Sequence, residues 1–415
     1  MISVALMGHG VVGSGVAEIL TTHKQKLFTS LGEEIYLKHI LDLRDFPDNP
    51  LCDRFTKDFE DIISDRDVRV VIETMGGINP AYDFTKRCLK EGKSVVTSNK
   101  ELVARHGAEL LALAKENNAN YLFEASVGGG IPVLRPIHQC LVANEVDEIA
   151  GILNGTTNFI LTKMINENMS FEDALKIAQD LGYAERNPEA DVEGHDACRK
   201  ICILASLAYG KHIYPDNVHT EGITKITLED VEYAASYGCV IKLIGKCKRL
   251  ESGLMDIMVA PMFVPCTSQL ANINDVFNGV MVRGDCTGDV VFYGKGAGKL
   301  PTASAVVADT VDCCKHLKAR KYLFWADSTE ETIADYKDSL TKVYLRLEAT
   351  DSETAYNKAQ DLFGGVIRLE RADAPETEVA FVTEKELPYG EILGAINTLE
   401  QSGIKVVSTI RIGNL

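Results

Sequence analysis

The chain has 415 residues, 46% hydrophobic and 25% charged, with a formal net charge of −17 and a pI near 5.1. That length supports two or three domains with at least one large core, and the composition is ordinary for a globular protein. The acidic balance argues against nucleic acid as a partner, and no apolar run approaches the ~18 residues of a membrane span, so neither a duplex nor a bilayer is expected.

A compact apolar run (2–7) ends at Gly8 and is followed by VVGSGVAEILTTHK, with Val12, Val16, Ile19 and Leu20 at helical spacing. That is strand, glycine turn, helix. IYLKHILDL (35–43) reads as a second strand, VRVVIETMGG (68–77) as a buried one, and AYDFTKRCLKEGK as a helix closing on Gly92. KSVVTSNK (93–100) is another strand, AELLALAKENN a helix, and NYLFEASVGGG (120–130) one more strand. Such alternation predicts an α/β fold with a Rossmann-type, doubly wound parallel sheet over residues 1–133.

From residue 134 the rhythm changes. Helical stretches such as SFEDALKIAQDLGY and ACRKICILASLAYG mix with strand-like DEIAGILNG and LMDIMVAPMFV, an α+β domain over 134–310. A polar stretch (313–333) then connects to a third unit, 340–415, whose order of strand, helix, strand, strand, helix, strand is ferredoxin-like. No internal repeat is present.

Eleven cysteines form no CxxC pair and no zinc-spaced cluster with histidine, which fits free thiols in a reducing compartment. The opening MISVALMGHG is unlike a secretory leader, so a cytoplasmic location is expected.

Gly8-His9-Gly10-Val11-Val12-Gly13 satisfies GxGxxG between a strand and a helix, the context that gives this pattern meaning. The first glycine permits the tight turn, the second lets a pyrophosphate approach the backbone, and the third packs helix on strand. The helix N-terminus then offers N–H donors to the anion. A glycine-rich turn without a ligand is the bland alternative. At the end of the second strand, Asp42 suits a ribose 2′-hydroxyl and so NAD, whereas Arg44 suits the 2′-phosphate of NADP. The two point in opposite directions.

In VEGHDACRKICILAS, Asp196 and Lys200 lie four apart and share a helix face, while Ile201, Leu204 and Leu207 lie toward another. As a surface ion pair they would contribute only about 0.5 kcal/mol. As a desolvated pair they would include a lysine able to act as an acid or base.

Together with TSNKELVARHG (97–107), FEASVGGGIP (123–132), ILNGTTNFI (152–160), GYAERNPEADVEGHDACRK (182–200) and GKGAGKLPTASAVVAD (294–309), this pattern resembles homoserine dehydrogenase. The resemblance runs from Gly8 to about Asp309. It implies NAD(P)-dependent interconversion of L-homoserine and L-aspartate 4-semialdehyde, a step toward threonine and methionine. Lys200 matches the family's proton donor and Lys100 a lysine near nicotinamide and substrate. Glu185, Asp191 and Asp196 match carboxylates that attract the substrate ammonium group. Gly8, Gly10, Val11, Val12, Gly13, Ser98, Lys100, Gly182 and Gly298 match cofactor contacts, with a return of the chain to the first domain over about 295–320.

FEASVGGGIP resembles a monovalent-cation loop (Na⁺ or K⁺), with the Glu124 carboxylate and the carbonyls of Val127, Gly129 and Ile131 as ligands; a packed glycine-rich strand end is the alternative. The third unit resembles an ACT domain, which implies an amino-acid effector, although Asp351-Ser352-Glu353-Thr354-Ala355 lacks the customary Pro-Gly. A homodimer or larger homo-oligomer is implied, and a fused aspartate kinase is not expected. Two other readings stay open: an oxidoreductase of a related semialdehyde, and an amino-acid sensor without catalysis.

Overall fold

The computed structural model describes residues 1–321, 323–328 and 332–415; residues 322 and 329–331 of the polar connecting stretch lie outside the described residues. Six strands, β1 (Ile2–Met7), β2 (Ile35–Leu41), β3 (Phe55–Thr56), β4 (Val68–Glu73), β5 (Ser94–Thr97) and β6 (Tyr121–Leu122), form a parallel sheet in the order β3-β2-β1-β4-β5-β6. That is the doubly wound dinucleotide-binding order. Helices α1 (Val11–Thr22), α2 (Lys24–Leu31), α3 (Glu60–Ile63), α4 (Ala81–Lys90) and α5 (Lys100–Glu116) complete it. β1 is buried along its whole length, which is why it reads as a continuous apolar run rather than an alternating one.

The second lobe contains β7 (Val146–Ile152), α6 (Gly155–Glu167), α7 (Phe171–Asp180), α8 (Glu189–Val192), α9 (His195–Tyr209), β8 (His219–Thr220) and α10 (Leu228–Ser236). It continues through β9 (Cys239–Arg249), β10 (Met255–Pro265), β11 (Phe277–Gly284) and β12 (Gly288–Lys295). The chain then turns back in α11 (Lys299–Lys315), which packs on α1; a Cβ at Gly15 would stand 2.9 Å from the Lys299 carbonyl oxygen.

The last unit comprises β13 (Leu340–Glu348), α12 (Ser352–Phe363), β14 (Val366–Leu369), β15 (Glu378–Thr383), β16 (Leu387–Pro388), α13 (Tyr389–Gln401) and β17 (Lys405–Ile412). Its four main strands lie in the order β17-β13-β15-β14, antiparallel throughout, with α12 packed on α13. This is the ferredoxin-like arrangement. Asp351 accepts from the Thr354 N–H at 3.0 Å and so serves as the N-cap of α12.

The unit does not keep a sheet of its own. β17 pairs in parallel with β10 through Met262–Arg411 and Phe263–Ile412, so one sheet runs β12-β11-β7-β9-β10-β17-β13-β15-β14. Pairing here covers a strand edge that would otherwise be open.

Alternation along β13 fixes the unit against the second lobe. Val343, Leu345 and Leu347 enter a core under α12 and α13, while Tyr344 and Arg346 face α10. Both of the latter meet Asp230, which is wholly buried: the Tyr344 hydroxyl donates at 3.0 Å and Arg346 Nε at 3.1 Å. Loss of Asp230 would take a buried partner from both side chains, although Arg346 keeps Glu378 at 3.3 Å. Asp230→Ala is therefore expected to lower folding stability by about 1–3 kcal/mol in denaturant titration. A loss below about 1 kcal/mol, the scale of a surface pair, would contradict this account.

Candidate active site

The glycine loop closes the carboxyl end of β1. Gly8 has φ +91°, and a Cβ on Gly13 would lie 1.9 Å from the Gly8 carbonyl oxygen, so neither position accepts a side chain. A Cβ on Gly10 would meet nothing within 4 Å, which leaves the approach to the backbone open. α1 carries no side-chain cap and no acidic residue in its first turn, so its leading N–H groups remain available to an anion. Val11 is exposed and Val12 half-buried. These residues fit a dinucleotide pyrophosphate.

Asp42 accepts the His9 N–H at 2.8 Å, the Arg44 N–H at 3.0 Å and both Arg44 Nε (3.0 Å) and Nη2 (2.9 Å). The Arg44 guanidinium above all holds this carboxyl below the usual range. The two residues read as opposed in the sequence are thus one ion pair, with Asp42 largely occupied and Arg44 outward.

The second group of residues lies between the lobes. From the first lobe, β5 ends at Thr97, Asn99 caps α5 by accepting from the Leu102 N–H at 3.1 Å, and Lys100 opens the helix. From the second lobe, α9 brings Asp196 in its first turn and Lys200 one turn later. Lys200 Nζ lies 2.9 Å from Asp196 Oδ2 and donates to the Leu153 carbonyl at 2.7 Å. The other carboxylate oxygen of Asp196 is in contact with Lys100. Asp196 is 3% exposed and Lys200 7%, so the surface-pair alternative is excluded.

Two lysines therefore share one buried carboxylate. Burial, helped by the nearby charge of Lys100, lowers the Lys200 pKa against the pull of Asp196. For Lys100 burial also acts downward, but Asp196 and Asp191 outweigh it and its pKa is raised. Burial would raise the Asp196 carboxyl; the two ammonium groups instead hold it well below the carboxylate range. Partial burial and the Asp196 charge raise Asp191.

Other expected residues fall elsewhere. Ser98 is half-buried beside Lys100. Glu185 and Gly182 are exposed in the loop after α7, outside the lysine cluster; Gly182 has φ +75° and closes that helix. The loop is tied to the site's rim by the Thr156 hydroxyl, which donates to the Tyr183 carbonyl at 2.8 Å. Gly298, with φ +126°, caps α11.

The Glu124 carboxylate accepts the N–H groups of Val133 (2.6 Å), Leu134 (2.8 Å) and Arg135 (2.7 Å), so it caps the helical turn that follows. A buried carboxylate needs such donors, and the orphan N–H groups of a helix start supply them. Gly129, with φ +56°, presses on the 295–298 segment, where its Cβ would lie 2.1 Å from the Gly296 carbonyl oxygen. Among the described residues no group of three or more His, Cys, Asp or Glu could hold a metal.

A doubly wound dinucleotide sheet, joined to a second lobe that sets a buried lysine–aspartate pair against Lys100 of the first, is the architecture of a nicotinamide-dependent oxidoreductase. Comparison with known proteins is more specific. Residues 8–124 match the model of the homoserine dehydrogenase NAD-binding domain, and residues 132–311 that of homoserine dehydrogenase. Homoserine dehydrogenase of Bacillus subtilis is 38% identical over 418 aligned residues, covering 96% of this chain and 95% of the relative. The crystal structure of a homoserine dehydrogenase from Thiobacillus denitrificans superposes with a TM-score of 0.88 at 32% identity, over 99% of this chain and 98% of that one. A hyperthermophilic archaeal homoserine dehydrogenase solved with NADPH superposes at 0.64, with 26% identity, over 75% of this chain and 97% of the other. The chain belongs to the homoserine dehydrogenase family, whose members are NAD(P)-dependent oxidoreductases. Among the described residues no helix is long and apolar enough to cross a membrane.

Proposed function

We propose that in this homoserine dehydrogenase Lys200 is the acid/base and Lys100 a fixed positive charge at the reacting oxygen. The carrying observation is the Lys100–Asp196–Lys200 arrangement, in which one lysine pKa is lowered and the other raised. Groups whose environments drive their pKa values apart divide the acid/base and electrostatic roles.

When bound, the nicotinamide supplies hydride to the aldehyde carbon of L-aspartate 4-semialdehyde, or takes it from L-homoserine. In the reductive direction the aldehyde oxygen gains negative charge, and the Lys200 ammonium gives it a proton, forming the hydroxyl. Lys100 stays protonated and offsets the developing charge. In oxidation neutral Lys200 removes the hydroxyl proton. Asp196 keeps both lysines in place, and Asp191 with Glu185 receives the substrate ammonium group.

Arg44, outward and held on Asp42, favours NADP(H), while Asp42 leaves NAD(H) usable. The NADPH complex of the archaeal relative supports this order. For a monovalent cation, Glu124 and the carbonyls of Val127, Gly129 and Ile131 are the ligands in this reading. The homodimer is read through the second lobe, whose edge strand β12 exposes Tyr293, and an amino-acid effector through the C-terminal unit. The test is turnover with homoserine and each oxidised cofactor. NADP⁺ is expected to give the higher kcat/KM; turnover with neither would overturn the reading.

Glu185→Ala is expected to raise KM for homoserine about tenfold or more, the loss of a charge-assisted hydrogen bond, with NADPH affinity unchanged. An unchanged KM would remove Glu185 from the substrate site.

A further inference from the structure

We infer that Asn154 is a positioning residue for proton transfer: its side-chain amide holds Asp191 and Asp196 side by side and so sets the field at Lys200. Asn154 stands where β7 ends and α6 begins, and it is 5% exposed. Its Oδ1 accepts the Thr157 N–H at 2.8 Å and the Thr157 hydroxyl at 3.1 Å. A backbone N–H can only donate, so this end of the amide is the oxygen and the NH₂ must face the other way. There Nδ2 donates to Asp191 Oδ1 at 2.7 Å and to Asp196 Oδ2 at 2.9 Å. Both hydrogens and the oxygen are engaged.

The two carboxylates would otherwise face each other at close range in a site sheltered from water, where like charges repel strongly. The NH₂ group between them bonds to both at once without adding charge. The preceding residue contributes as well, since the Leu153 carbonyl accepts from Lys200 Nζ. Two consecutive residues thus hold the lysine and its partner carboxylate from one side, while α9 holds them from the other.

This inference rests on Lys200 as the acid/base, and the experiment separates the two. Asn, Asp and Ser are comparable N-caps, so Asn154→Asp and Asn154→Ser both keep α6 capped. Asn154→Asp puts a third negative charge against the cluster and raises the lysine pKa values. The kcat/KM profile for homoserine oxidation, which needs neutral Lys200, should then move up by about one pH unit or more. Asn154→Ser removes both bridging hydrogens without adding charge. It should lower kcat about tenfold or more, with NADPH affinity and melting temperature close to wild type.

A purely structural Asn154 would lower the melting temperature and leave the pH profile in place. Wild-type kcat in Asn154→Ser together with an unmoved profile in Asn154→Asp would overturn the inference. Should Asn154→Asp fail to fold, Asn154→Ser decides alone by its kcat. If Lys200→Ala is inactive and the Asn154 variants are normal, only the Asn154 assignment falls. If Lys200→Ala stays active, it is the lysine assignment that falls.

Discussion

Lys200→Ala is expected to cut turnover in both directions by ~10²–10⁴, the range that a positioned proton donor or acceptor contributes. The variant should fold, because the change leaves Asp196 paired with Lys100 and hydrogen-bonded to Asn154. The glycine loop of β1 is untouched, so NADPH affinity by fluorescence titration should match wild type. Lys200→Arg sharpens the test. A guanidinium keeps the charge but does not release its proton at workable pH, so restored charge without restored rate identifies proton transfer as the function. In wild type the rate of homoserine oxidation should rise with pH through a value below the ordinary lysine pKa, since burial lowers that of Lys200. Activity of Lys200→Ala within about tenfold of wild type would mean another group moves the proton.

Local patterns carried the parts of the molecule that are local. The glycine spacing of residues 8–13 was legible because sterics at each position are decided by the next turn of chain: Gly13 cannot be anything larger beside the Gly8 carbonyl. Asp196 and Lys200 were legible because a helix brings residues four apart together, and the buried residues of α9 around them account for the dryness of the pair. The order of strands and helices in the last unit likewise followed from period and length.

What escaped depends on backbone groups and on distant segments meeting. Nothing in SNK shows that Lys100 reaches a carboxylate 96 residues further on, because the lobe contact that brings α5 to α9 has no local signature. The Leu153 carbonyl is invisible in any residue pattern, since every residue has one. That the Glu124 carboxylate takes three N–H groups nine to eleven residues on could not be read from FEASVGGGIP, because backbone donors leave no residue signature. In NGTTN the asparagine before Gly-Thr-Thr could have been recognised as an N-cap, and its Oδ1 does bond Thr157. The carboxylates at the other end of that amide could not. The strand pairing of the C-terminal unit with the second lobe covers only two residue pairs between β10 and β17, and the Asp230 cluster beside it joins residues over a hundred positions apart, so neither leaves a local pattern.

Asp196→Asn should be nearly as damaging as loss of the lysine, for the opposite electrostatic reason. The substitution keeps the size of the side chain but leaves Lys100 and Lys200 facing each other without the anion between them. Each ammonium then disfavours the other, and the Lys200 pKa, already lowered by burial, falls further. For aldehyde reduction the donor must be protonated, so kcat near neutral pH should drop by ~10²–10³ and recover in part as pH falls. The reductive pH profile therefore moves down. Stability follows the same sign. A lysine whose folded pKa lies below its unfolded value destabilises the fold as pH falls from the unfolded pKa toward the folded one, so the variant should melt higher at pH 9 than at pH 7, by linkage. The direction of the kinetic shift is the decisive feature. Asn154→Asp adds a negative charge and moves the lysine titration up; Asp196→Asn removes one and moves it down. Damage to packing would lower both rates without moving either profile, whereas a field acting on Lys200 requires shifts of opposite sign. If the pH profiles of the two variants overlay that of wild type, Lys200 does not titrate under the control of these neighbours, and the field assigned to Asn154 and Asp196 falls.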